Sequence, residues 1–418
     1  MANQSGDPMQ APGRSAELAV AWEQHPWQSD EIYASRRQRL SARGPYLAAV
    51  APKIRDVDLH VPPEVAAEAE DALVAITRFD AELTNALPAM DADDPEAGRE
   101  LAPLAAVLLR TESASSSQIE NVTAGAKALA LATLDEKSGP NATMVAANVV
   151  AMQRAIEMSD DLSANTIRAA HAALMEGHSY TGPGQFRNAQ VWIGGNAPSP
   201  HTASFVPPHR DRVPDAIEDL MGFCERTDIP VLTHAAVAHA QFETIHPFAD
   251  GNGRTGRVLV HAMLRRAGAT RRMTVPVSAG LLTDTESYFE ALTAYRAGDP
   301  APIVSRFSAA SFSAVSNGRA LTDDLRRLYD EWRESVTARR GAAAWRLLPT
   351  LVRQPAVTVR YVQEHTGVSQ PAAQRAIDHL VEAGVLRPAS ENRRNRVWVA
   401  EGVVAALDEF AARVGRRG

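Results

Sequence analysis

The stretch His246 to Arg257, HPFADGNGRTGR, gathers in twelve residues the groups that phosphate chemistry needs. Gly251 and Gly253 flank Asn252, and glycines so placed let a backbone turn several N–H groups toward one point. Val258, Leu259, Ala262 and Met263 follow at helical spacing, so this turn should open a helix, whose N-terminus attracts anions. Arg254 and Arg257, three apart, share a face of that helix, and two guanidinium forks there suit a polyphosphate. Asp250 offers a hard oxygen to Mg²⁺ beside such phosphates, and His246 can take a proton near neutral pH. Phe248 should point into the core and pin the loop. Together these parts read as metal-assisted transfer from a nucleoside polyphosphate to a nucleophile. They form neither a Walker A loop, since GxxxxGK[ST] is absent, nor a dinucleotide fingerprint, since no strand pattern precedes them.

The elements that must position this loop are mostly helical. Apolar residues recur at helical spacing over Leu59–Leu87, Leu101–Leu109, Val145–Ala155, Thr166–Met175, Val213–Cys224, His234–Phe242 and Tyr288–Arg296, with Ser163 as a cap. Gly182–Phe205 differs: Gly, Pro, Asn and Ser clusters surround a short β-like run, Gln190–Ile193, which predicts a hairpin or flap. The 418 residues exceed one typical core, so two or three domains are expected. The boundaries read as a flexible tail over 1–20, a helical region over 21–125, a core over 126–312, a linker helix over 313–339 and a separate module over 340–418. Hydrophobic residues make up 45% and charged residues 22%, which excludes collagen, rods and wholly disordered chains. A net charge of −7 speaks against a nucleic-acid coat protein. The lone cysteine, Cys224, excludes a disulfide within the chain and a Cys₄ or Cys₂His₂ zinc site. No apolar run is long enough to span a membrane and no apolar core marks a secretory leader, so a cytoplasmic protein without a membrane partner is expected.

His246–Arg257 matches HxFx[DE]GNGRxxR at all eight specified positions, and in this the chain resembles the Fic-domain family. The likeness extends to HAQFETI before the motif, to GQFRNAQVWIGG over Gly184–Gly195, and to FVPP over Phe205–Pro208. It implies a helical core with a small β-hairpin flap and AMP transfer from ATP to a Ser, Thr or Tyr hydroxyl of a target protein or of the chain itself, releasing pyrophosphate. His246 would be the general base and Asp250 would hold Mg²⁺. Asn252 and the amides of Gly251 and Gly253 would cradle the α- and β-phosphates. Arg254 would bind the β-phosphate, Arg257 the γ-phosphate, and Tyr288 would lie near the adenine. Val191, Trp192 and Ile193 would hold the target segment by backbone pairing. The resemblance also implies a homodimer.

Upstream, Ser116–Asn121 fits [ST]xxxE[GN], which resembles the inhibitory-helix motif of the same family. A Glu120 carboxylate could pair with the Arg257 fork and keep it from the γ-phosphate, leaving ATP misoriented for in-line attack. Ser116 opens that motif.

Residues 340–418 hold twelve arginines, no lysine and seven acids, a net +5 that leaves −12 for the rest. Val359–His365, a turn through Gly367, and Gln370–Ala383 read as a helix-turn-helix. Leu386–Val399 reads as a wing with Arg393, Arg394 and Arg396 in its loop. This resembles a winged-helix domain, which leaves a DNA or a protein partner open. Two functions therefore stand at this level. One is an autoinhibited adenylyltransferase. The other is a DNA-binding regulator whose Fic domain senses nucleotide or is catalytically silent.

Overall fold

The structure is a computed structural model that describes residues 17–27, 44–84, 102–134, 138–177, 182–195, 199–271, 273–339, 341–389 and 396–415. Two strands, β1 (Ala21–His25) and β2 (Tyr46–Val50), precede helices α1 (Pro63–Thr84), α2 (Ala102–Ile119), α3 (Ala126–Ala132), α4 (Pro140–Glu157) and α5 (Ala164–Leu174). Next come α6 (Val213–Cys224), α7 (Val231–Ile245), α8 (Asn252–Arg266), α9 (Val277–Leu282), α10 (Thr285–Arg296) and α11 (Ala301–Ser335). The C-terminal module is α12 (Ala343–Arg353), β3 (Ala356–Val357), α13 (Val359–Thr366), α14 (Gln370–Glu382), β4 (Arg387–Pro388), β5 (Trp398–Val399) and α15 (Glu401–Gly415).

Local chemistry sets many of these boundaries. Proline stands in the first turn of α4, α6, α11 and α14, where its missing N–H costs no helical hydrogen bond. The hydroxyl of Ser163 caps α5 by accepting from Thr166 N–H (3.3 Å), and Asp284 caps α10 by accepting from Ser287 N–H (3.0 Å).

Helices α7 and α8 form the centre of the core. From Leu232 to Ile245 every residue of α7 is buried, the pattern of a helix enclosed on all sides. Its polar members therefore find partners: Gln241 donates to Pro52 O (2.7 Å) and accepts from Tyr295 Oη (2.9 Å). Around this pair α11 packs on α1, α9 and α10, and α2 packs on α4 and α9. At 35 residues α11 is about 50 Å long and reaches from the core to α15. A boundary between 312 and 313 thus falls inside a continuous helix.

The N-terminal region is not purely helical. β1 and β2 pair antiparallel, Ala21 opposite Val50 and His25 opposite Tyr46, and β2 continues onto the 205–208 segment through Ala49 N–H to Val206 O (2.9 Å). The pairing joins segments some twenty residues apart, and neither strand alternates strongly enough to declare itself.

The C-terminal module has the expected winged-helix form. Thr358 caps α13, which ends at Gly367 in the left-handed region (φ +68°), and α14 follows. The strands order β3-β5-β4, all antiparallel. Arg396 is exposed where the chain enters β5, whereas Arg393 and Arg394 lie outside the described residues. No helix among the described residues is long and apolar enough to cross a membrane.

Candidate active site

Pro247 follows the last residue that α7 can accommodate, so the helix stops at His246, whose backbone turns left-handed (φ +51°). A non-glycine residue there is held by its surroundings, and Arg187 does the holding. Its Nε donates to His246 O (2.8 Å), its Nη2 donates to Pro208 O, and its own N–H donates to Pro247 O (2.9 Å). Phe248 is buried as expected, and a side chain from α5 explains how firmly. His171 stacks on the Phe248 ring at 3.7 Å with planes 4° apart. His171 Nδ1 accepts from Gly184 N–H (2.9 Å), so Nε2 carries the proton and donates to Asp250 O (3.0 Å). Burial pushes its pKa down to about 4, so the ring stays neutral.

Asn252 closes the loop on itself: its Oδ1 accepts from Phe248 N–H and its Nδ2 donates to Phe248 O, both at 2.8 Å. Both polar atoms of the Asn252 side chain thus bond within the loop, which leaves its backbone N–H and the second Nδ2 hydrogen to meet a phosphate. Gly251 N–H is likewise taken by Asp250 Oδ1 (2.6 Å). Gly251 begins α8 in the left-handed region (φ +76°), and the first intrahelical bond runs from Thr255 N–H to Gly251 O. The N–H groups of Asn252, Gly253 and Arg254 therefore form the open first turn, an anion-binding surface.

Around that turn stand the chemical groups. The Asp250 side chain is 53% exposed, and Arg254 Nη2 lies 4.0 Å from its Oδ1. His246 keeps 20% side-chain exposure although its Nδ1 is buried, so Nε2 is the accessible edge. Burial, and then the charges of Arg296 and Arg187, hold this imidazole neutral, down to about 3. Glu243, one helical turn earlier, puts Oε2 at 3.7 Å from His246 Nδ1. Burial first, and the Glu120 charge next, push the Glu243 carboxyl up to about 7.

Arg257 is 2% exposed. Its Nε donates to Ser116 Oγ (2.9 Å), and its Nη2 to Ser116 O (2.7 Å) and Glu120 Oε1 (2.9 Å). Burial opposes the guanidinium charge, but Glu120, Tyr288 and Glu243 together outweigh it and the pKa lies above the ordinary value. Glu120 follows the end of α2 and its side chain is 38% exposed. It lies over the α8 N-terminus so closely that a Cβ at Gly253 would stand 2.0 Å from Glu120 Oε1. Glycine at 253 thus leaves room for the carboxylate as well as for a phosphate.

Several supporting residues escaped sequence reasoning. Glu112, wholly buried on α2, accepts from His261 Nε2 (2.7 Å) and from Ser278 N–H (2.8 Å) and hydroxyl. Asn148 of α4 donates to Ser113 O (2.8 Å) and Ser117 Oγ (3.2 Å). Together they anchor the helix that leads to Glu120. Tyr288 requires a correction: it is 1% exposed, and its hydroxyl bonds His239 Nε2 (2.7 Å). No ring face is open to a base, so Tyr288 belongs to the layer behind Arg257. The flap is reduced to one bridge, with Ile193 N–H donating to Phe205 O (2.8 Å) and Ser204 N–H to Ile193 O (2.9 Å). That engages the Ile193 backbone, while the backbone of Trp192 makes no hydrogen bond among the described residues.

Comparison with known proteins finds likenesses in two parts of the chain. Residues 161–264 match the Fic/DOC family model, and residues 341–395 match the MarR family model. A protein adenylyltransferase Fic of Nematostella vectensis is 29% identical over 150 residues, 36% of this chain and 32% of that one. One of Aedes aegypti is 37% identical over 86 residues, 20% of this chain and 16% of that one. A crystal structure of a Fic family protein from Desulfovibrio desulfuricans G20 covers 82% of this chain and 97% of that chain, with 22% identity and a TM-score of 0.48. The chain spans at most about a third of the length of the curated relatives it matches.

Proposed function

We propose that this chain, which carries a Fic domain at residues 161–264, is a protein adenylyltransferase that its own α2 holds in check. The observation that carries the reading is a single loop. It presents the neutral His246 imidazole, the exposed Asp250 carboxylate and the open first turn of α8 side by side, with Arg257 behind them.

ATP would lay its phosphates across the N–H groups of Asn252, Gly253 and Arg254, with the Arg254 guanidinium beside them and Arg257 toward the γ-phosphate. Asp250 suits Mg²⁺: one carboxylate oxygen is fixed by Gly251 N–H, and the side chain faces solvent. Once bound, Mg²⁺ would neutralise charge on the phosphates. His246 Nε2 takes the proton of the incoming hydroxyl. The hydroxyl oxygen bonds to the α-phosphorus, the α–β bridging bond breaks, and pyrophosphate leaves with that electron pair. The nearby phosphates would raise the proton affinity of the imidazole as the step begins.

The reading of a brake rests on Glu120. An anion already lies over the α8 N-terminus and pairs with the Arg257 fork, where the polyphosphate would end. The hydroxyl donor is a Ser, Thr or Tyr of a target protein or of this chain, presented along Val191 and Trp192. A second partner, DNA, is favoured by one observation: the MarR-matching module holds a helix-turn-helix beside a β-wing. Mass spectrometry of the chain incubated with ATP and Mg²⁺ tests the enzyme reading. Peptides heavier by one AMP, with matching pyrophosphate, support it. Turnover to ADP and phosphate without adducts would overturn it.

A further inference from the structure

Away from the loop, α2 meets the C-terminal module across a cavity of ≈ 220 Å³. Arg110, Ala114 and Gln118 of α2 form one wall, and Leu129 of α3 with Leu407 and Phe410 of α15 forms the other. Arg110 is 9% exposed, yet among the described residues a single hydrogen bond serves its guanidinium, from Nη2 to Gln354 Oε1 (2.8 Å). Among the described residues no carboxylate lies within ion-pair distance of it. Its other N–H groups are not sealed in the protein, and Arg110 lines the cavity. Burial pulls this guanidinium down to about 10, a sign of how poorly its charge is compensated. A buried arginine ordinarily has a paired anion.

We infer that this cavity is a binding site for a small monocarboxylate whose headgroup meets the Arg110 fork and whose short apolar body lies on Leu129, Leu407 and Phe410. The planar fork matches a carboxylate with two parallel hydrogen bonds. The volume is below the ~300–1,000 Å³ that drug-sized ligands fill, so the body is a few carbons long. Asp408, the acid in the lining, accepts from Ala126 N–H (3.2 Å) and disfavours a second negative charge, which argues for a singly charged ligand. An occupant would tie α2 to α15, giving a metabolite a hold on the helix that leads to Glu120. The site goes beyond the transfer reading and stands without it.

Calorimetric titration of the full chain tests this, with ADP present to fill the nucleotide site and acetate, butyrate and hexanoate as probes at constant ionic strength. Hexanoate should bind with a Kd of about 1 mM or tighter, roughly tenfold tighter than acetate. Arg110→Met should weaken it at least about tenfold. Ala114→Leu, which fills the cavity and keeps the charge, should do the same, and it carries the test if Arg110→Met does not fold. Absence of hexanoate binding up to about 10 mM, or equal binding by wild type and Ala114→Leu, would overturn the assignment.

Discussion

The loop at the head of α8 and the helix that covers it make opposite use of sequence. The loop assembles its chemistry from twelve consecutive residues, each a few bonds from the next, and Asn252 and His171 hold it as a rigid unit. The covering helix α2 reaches the same place from 137 residues away, with Glu120 on Arg257. It stays there because Glu112, Ser113 and Ser117 bond three other helices or their flanks. The first arrangement suits a step that must occur in one geometry. The second suits control, because a half-exposed carboxylate on a separate helix can be withdrawn without disturbing the loop.

Variants can separate the two regions. The largest effect belongs to the loop: in a Glu120→Gly background, His246→Ala should lower AMP transfer by about 10²–10⁴ without changing nucleotide affinity. A loss below tenfold would remove His246 as the base. Next comes the covering helix, where Glu112→Ala leaves His261 and Ser278 facing a buried gap. Chemical denaturation should register a loss of about 3–5 kcal/mol, together with raised basal transfer. An unchanged midpoint would show that α2 is held elsewhere.

Acid should loosen the loop region next. His171, His239 and His246 are kept neutral by burial, at about 4, 3 and 3. Unfolded histidines take protons near 6.5, so the contribution of these three is complete above that pH and is lost as pH falls toward 4. Glu243, pushed up to about 7, works in the opposite sense, one group against three. The melting temperature should therefore fall between pH 6.5 and 4.5, and a flat profile would contradict the buried neutral rings. The smallest effect lies in the C-terminal module. If α14 and the wing contact DNA, Arg375→Ala and Arg396→Ala should each reduce the salt slope of DNA affinity by about one.

What the sequence revealed follows the same division. His246, Asp250, Arg254 and Arg257 were legible because the chemistry is contiguous and glycine announces the turn. The helix-turn-helix was legible from Gly367 and helical spacing. His171 carried no such mark: nothing in HAALM tells that its ring lies flat on Phe248, 77 positions on. The place of Tyr288 near the adenine came only from the family resemblance, and its burial depends on which distant segments pack around it, which periodicity alone does not reveal. The β1–β2 pair and the Arg110 cavity likewise depend on which distant segments meet. The sidedness of Asn252, whose amide faces back to Phe248, is a matter of loop closure that residue type leaves open.

The central claim is that Glu120 restrains a loop already competent for transfer. Its direct test compares wild type, Glu120→Gly and Glu120→Gly/His246→Ala for incorporation of label from ATP radiolabelled at the α-phosphate. The account predicts label on protein about 10–100-fold above wild type in Glu120→Gly, the range that losing a charged hydrogen bond of ~1.5–3 kcal/mol allows, and its disappearance in the double variant. Equal labelling of wild type and Glu120→Gly would contradict it.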